Sequence, residues 1–137
     1  MELLCHRSGT TKAFTGKGDV LRLARQAGEC LDELAGQMRQ LSRTSKQTAD
    51  GGFHYLDLHR RTARSGTSCS LRWRSPLHRH VRWTAVARDL RRLPLGLHLS
   101  YREMNRRACE LNALHGLCRI QRAVLERLAR ACGEDAS

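Results

Sequence analysis

Aromatic residues are scarce in this 137-residue chain, with two Phe, two Tyr and two Trp. Any core must therefore be built mainly from Leu, Ala and Val carried on helices, with few large rings to fill it. Long apolar runs are missing too. No stretch approaches the 18 or so uninterrupted apolar residues that a membrane-spanning helix needs, and that length excludes a helical span. Met1 to Ala13 mixes charged and polar residues and lacks the apolar core of a secretory signal. The six cysteines, at 5, 30, 69, 109, 118 and 132, form no CxxC or other close pair. Together these absences lead us to expect reduced thiols in a cytosol. Cys109, Cys118 and Cys132 fall in a helical pattern and read as small buried or half-buried apolar residues. Lysine is almost absent, since only positions 12, 17 and 46 among 25 basic residues are Lys.

Arginine is what the chain has in excess. Between His59 and Arg92 stand ten arginines, at 60, 61, 64, 72, 74, 79, 82, 88, 91 and 92, against one acid, Asp89. That stretch carries nine of the chain's net twelve positive charges. The guanidinium presents a planar fork of donors that matches phosphate and carboxylate oxygens, so a polyanion is the leading candidate partner. Part of the Arg-over-Lys bias can come from coding composition, and that part carries no functional signal.

The organisation reads as helix, hairpin, short helix, helix. Residues 1–18 form an arm ending in the Gly16-Lys17-Gly18-Asp19 loop, and a helix is expected from Val20. Its stripe, Val20, Ala24, Ala27, Leu31, Leu34, Met38 and Leu41, is spaced alternately by four and three and needs a packing partner. Thr44 to Gly52 reads as a polar linker. In Gly66 to Arg74, Cys69, Leu71 and Trp73 alternate with Ser70, Arg72 and Arg74, the period of a half-buried strand. Phe53 to Arg60 can supply its antiparallel partner, with Arg61 to Ser65 as the turn. His80 to Leu93 reads as a shorter helix stopped by Pro94 and Gly96. Ser100 and Glu103 have capping-box spacing, and a long helix is expected from Tyr101 to about Cys132, ending at Gly133. Its apolar face runs Met104, Ala108, Leu111, Leu114, Cys118, Leu125, Leu128 and Cys132. Glu103–Arg107, Arg106–Glu110, Arg122–Glu126 and Glu126–Arg130 stand as i,i+4 pairs on a solvated face. The fold class is α+β, mainly α, with the long helices packed antiparallel and residues 19–133 as one domain before a tail at 134–137.

No constellation points to a reaction. His78-x-His80 and Cys5-His6 lack the further ligands of a zinc site, so no metal and no cofactor are expected. His115 reads as a hydrogen-bonded packing histidine beside an apolar face. Asp32-Glu33 faces outward and Glu134-Asp135 lies in the tail, so neither makes an acid/base pair. Gly16-Lys17-Gly18 lacks the frame of a phosphate loop. No catalytic residue is assigned. Alternation instead turns Arg72 and Arg74 away from Leu71 and Trp73, with Arg60, Arg61 and Arg64 on the partner strand and turn and Arg79 and Arg82 beyond. A two-stranded ribbon fits a major groove, where Arg clamps phosphate or reads guanine, so these seven arginines are the candidate nucleic-acid contacts.

Three segments carry a resemblance. Phe14 to Ala24 (FTGKGDVLRLA), Ser70 to Ser75 (SLRWRS) with Trp83 after it, and Glu110 to His115 (ELNALH) resemble an uncharacterised bacterial family of integrating conjugative elements. Some of its members are described, without confirmation, as an integrase regulator R. The likeness covers about residues 12 to 133, and the arginine excess of the hairpin departs from it. It implies a mobile-element setting in a bacterial cytoplasm and transfers no site residue. The expected function is a non-enzymatic accessory or regulatory protein that binds DNA or a DNA–recombinase complex, with an integrase or another mobile-element protein as a further partner. The alternative is a helical protein-interaction or dimerisation module, such as a homodimer, without DNA contact.

Overall fold

The computed structural model describes residues 16–64 and 66–135. The elements are α1 (Lys17–Ala49), β1 (Tyr55–Ala63), β2 (Gly66–Arg74), α2 (Trp83–Asp89) with a 3₁₀ turn at Leu90–Arg92, and α3 (Leu95–Asp135). This is the expected α+β, mainly α order. The chain divides into two compact units, one made of residues 16–33 with 116–135, the other of Leu34–His115.

In the first unit the start of α1 runs antiparallel to the end of α3. Lys17 lies beside Gly133, the Arg122 guanidinium lies over Gly28, and the Cys118 thiol is 3.3 Å from the Cys30 sulfur. Val20, Ala24, Ala27 and Leu31 are buried along α1, facing Cys118 and Ala129 of α3.

In the second unit the same two helices carry the hairpin. Leu34, Met38, Leu56, Val86, Leu90, Tyr101 and Leu111 are almost fully buried. Aromatic rings cluster there, with Phe53 and Trp73 at 5.1 and 5.8 Å from Tyr101, and Trp83 at 5.6 Å from Trp73. The few large rings of the sequence are thus concentrated at one point, where each contributes most.

A two-stranded ribbon leaves backbone groups unpaired along both outer edges. Here side chains fill those of Leu56 and Leu71. On the β1 edge, Ser42 Oγ donates to the Leu56 carbonyl (2.9 Å) and Ser45 Oγ accepts from the Leu56 amide (2.8 Å). On the β2 edge, Asn112 Oδ1 accepts from the Leu71 amide (2.7 Å) while its Nδ2 donates to the Leu71 carbonyl (3.1 Å). Asn105 takes the Trp73 indole N–H at 3.0 Å.

Several boundaries differ from those the sequence pattern predicts. Helix α1 starts at Lys17 and runs through the supposed linker to Ala49, because Ser42, Ser45 and Ala49 continue the buried stripe in place of Leu41. Strand β1 extends to Ala63, which pairs with Gly66, so Arg61 to Ala63 belong to the strand and not to the turn. The helix expected over 80–93 is confined to Trp83–Asp89 plus the 3₁₀ turn. Helix α3 opens at Leu95, directly after Pro94, whose fixed φ suits a helix start; Ser100 and Glu103 therefore lie inside it and form no capping box. The helix passes through Gly133 to Asp135, into the expected tail. Glu103 pairs with Arg106 and not Arg107, which bonds Glu110 and Gln37. Arg106–Glu110 and Arg122–Glu126 form as expected, each at 3.0 Å, whereas Glu126 meets Arg122 rather than Arg130. Leu128 and Cys109 are exposed instead of buried. Cys5, His6 and all but the last residues of the 1–18 arm lie outside the described residues.

Candidate nucleic-acid interface

Cross-strand partners share a face, and the register pairs Leu56 with Trp73, Leu58 with Leu71 and Arg60 with Cys69. Tyr55–Arg74, Asp57–Arg72, His59–Ser70 and Arg61–Ser68 occupy the opposite face. Leu71 and Trp73 are buried, and Arg72 and Arg74 point away from them, as alternation requires.

Beyond Leu58 and Cys69 the hairpin changes character. Residues 60–64, 66 and 67 are exposed on both faces, so the ribbon outruns its helical support. At about 3.4 Å per residue, the three paired positions beyond Cys69, from Arg61–Ser68 to Ala63–Gly66, extend over roughly 10 Å. Arg60 is on the face of Leu71, Arg61 on the other face, and Arg64 is at the tip. Gly66 closes the tip at φ +112°, a backbone conformation that an L side chain rarely adopts.

The seven arginines do not form one set. Arg60, Arg61, Arg64, Arg72, Arg79 and Arg82 are exposed, and among the described residues none of them makes an ion pair with an acid. Arg74 is half-buried. Its Nε lies 2.9 Å from Asp57 Oδ2 and its Nη1 donates to the His78 carbonyl at 2.9 Å, so it ties the hairpin base to the following turn. Arg79 belongs to that turn through Ser75, and Arg82 immediately precedes α2.

The two acids nearest the cluster are both engaged. Asp57 is shared between Arg74 and Lys46, the latter at 3.3 Å. Asp89 Oδ2 lies 2.8 Å from His54 Nε2, with Arg88 at 3.4 Å from its other oxygen. The His54 hydrogen bond holds the Asp89 carboxyl below its ordinary value, so it stays ionised and occupied. Neither acid reaches the projecting tip. The field there is that of bare guanidinium groups.

Residues missed in the sequence adjoin the hairpin base. A cleft of about 480 Å³ is lined by Lys46, Phe53, Tyr55, Asp57, Pro76 and His78, among others. Tyr55 Oη is 2.6 Å from His78 Nδ1, and Lys46 Nζ stands 5.7 Å from the Tyr55 ring centre. His78 sits at φ +63°, an uncommon conformation for a residue with a Cβ. Two histidines separated by one residue gave no hint of this pairing, because the partner comes from β1.

Charge is partitioned between the compact units. Residues 34–115 hold sixteen Lys and Arg against five Asp and Glu, whereas 16–33 and 116–135 together hold seven of each. Nearly all of the net positive charge thus travels with the hairpin. No helix among the described residues is long and apolar enough to cross a membrane. Compared with known proteins, the chain matches no family model, no curated protein and no solved structure.

Proposed function

We propose that this chain is a non-enzymatic accessory protein of an integrating mobile element that binds duplex DNA, alone or within a recombinase complex, through its projecting hairpin. The observation that carries the reading is the hairpin tip, exposed on both faces and bearing Arg60, Arg61 and Arg64 with no acid partner among the described residues. A ribbon of this kind has the width to enter a major groove, and arginine there clamps phosphate oxygens or the guanine edge. Arg72, Arg79 and Arg82 supply further cations outside the tip. The engaged state of Asp57 and Asp89 supports the reading, since unpaired carboxylates would repel phosphate. The bacterial cytoplasmic setting rests on the resemblance carried by residues 14–24, 70–75 and 110–115.

Titrating a labelled duplex from 50 to 200 mM salt tests it. Six unpaired arginines that each neutralise one phosphate give a log–log slope of about five in magnitude. A flat response would sink the DNA reading.

A further inference from the structure

The charge-balanced unit carries a feature that its own packing leaves unused. On α3, Leu117, Ile120, Val124 and Leu128 are 48, 64, 39 and 45% exposed, although Cys118 and Ala129 on the same stretch are buried. The spacings of three, four and four keep these four side chains on one stripe, at about 100° of rotation per residue roughly 125° away from the buried Cys118–Ala129 face. The buried face meets α1. The second stripe is left open among the described residues of its unit, with Arg127 at its edge and Arg119, Arg122 and Arg130 off it around the helix. Contiguous apolar surface of this kind on a charged protein marks an interaction site.

We propose that this stripe is the contact between two copies of the chain, joined about a two-fold axis with the α3 helices antiparallel. Two observations choose a second copy over other occupants. First, the stripe is complementary to itself under such an axis: reversing the helix sets each Leu117 against a Leu128 and each Ile120 against a Val124, so large meets large along the seam. Second, residues 16–33 and 116–135 carry seven basic and seven acidic residues, so the unit that bears the stripe adds no net repulsion between copies and offers an acidic partner no net attraction. The basic surface that would oppose self-association belongs to residues 34–115. The contact does not depend on the DNA reading.

Four half-exposed side chains per copy give an interface at the small end of specific contacts, so the dimer is weak, with a dissociation constant on the order of 10 µM. Sedimentation equilibrium of the full chain from 1 to 100 µM, in 0.3 M salt without DNA, reads it directly. The expected result is a rise from 15.6 kDa toward twice that mass. Ile120→Glu and Val124→Glu should each keep the helical circular-dichroism signal and remain monomeric throughout. Should a glutamate variant lose helicity, Ile120→Ser and the concentration-dependent amide protection of residues 117–128 in the unaltered chain read the same contact. A full chain that stays monomeric at 100 µM overturns the proposal and leaves the stripe to residues 1–15 or to another protein. A dimer that persists in the folded variants overturns it equally, by placing the contact elsewhere.

Discussion

Asn112 on α3 and Leu71 on β2 meet at two points, with the side-chain amide accepting from the backbone N–H at 2.7 Å and donating to the carbonyl at 3.1 Å. The side chain copies the hydrogen bonding of an absent third strand. That substitution matters because the hairpin has only two strands, and its exposed half gains nothing from burial.

Removing the amide should therefore loosen the whole ribbon. Asn112→Ala leaves the Leu71 N–H and C=O without their partner in a part-buried site, at a cost of about 2–3 kcal/mol. Urea denaturation should show the midpoint falling with little change in slope. Amide exchange should accelerate most in β2. An unchanged midpoint would mean that water replaces the side chain without loss.

Much of this architecture is legible in the sequence. The four-three stripe from Val20 to Met38 and the alternation in Gly66–Arg74 each report one buried face, and both persist. What stays hidden there is polar residues in apolar positions. Ser42 and Ser45 continue the α1 stripe, but their hydroxyls make the segment look like a linker, and only the Leu56 backbone explains their burial. Ser100 and Glu103 show the opposite failure, since a local capping signal is overridden once Pro94 starts the helix earlier. The arginines divide for the same reason. Strand phase tells Arg72 from Trp73, but nothing local tells Arg74, held by Asp57, from Arg72, which is not.

At low pH the His54–Asp89 pair should govern unfolding. The hydrogen bond from His54 depresses the Asp89 carboxyl below its ordinary value of 3.8 in the folded chain. A depressed acid contributes stability that is present above the unfolded value and is lost as pH falls through the folded one. The chain should accordingly weaken below about pH 4. Asp89→Asn should lower stability at pH 7 and flatten the profile in that acid window, as measured by thermal melts at a series of pH values.

At high pH the responsible group is Tyr101, whose phenol is pushed up to about 12 by burial, against an ordinary 10.0. A raised value means stability that is intact below pH 10 and is lost as pH climbs through 12. Tyr101→Phe should abolish this alkaline step. It should also cost about 1 kcal/mol at neutral pH, because the hydroxyl donates to the His54 carbonyl. Circular dichroism followed from pH 9 to 12 separates the two effects.

Thiol reactivity should sort the cysteines by burial. Cys118 is buried beside Cys30, and desolvation with that neighbour pushes its thiol up to about 12. Only the thiolate attacks alkylating agents, so at pH 8 a thiol raised in this way is almost wholly protonated and slow to react. Cys109 is exposed on the same helix. Iodoacetamide on the native chain should label Cys109 readily and Cys118 only after unfolding, as read by peptide mass spectrometry. Early labelling of Cys118 would contradict its burial between the helices.

The arginines should separate into binders and a brace. Replacing Arg60, Arg61 and Arg64 together with Ser touches side chains that are exposed and unpaired with acids, so urea stability should stay within about 0.5 kcal/mol. Duplex affinity should drop sharply, and the salt slope should shrink by about three, one for each phosphate no longer neutralised. Arg74→Ser should do the reverse. It leaves Asp57 with Lys46 alone and frees the His78 carbonyl at the hairpin base, so stability should fall by about 1 kcal/mol. Its effect on the salt slope should be small, because the guanidinium is already committed to a carboxylate. Measuring both quantities for both variants distinguishes a tip that binds from a diffuse basic surface, on which every arginine removed would lower the slope alike.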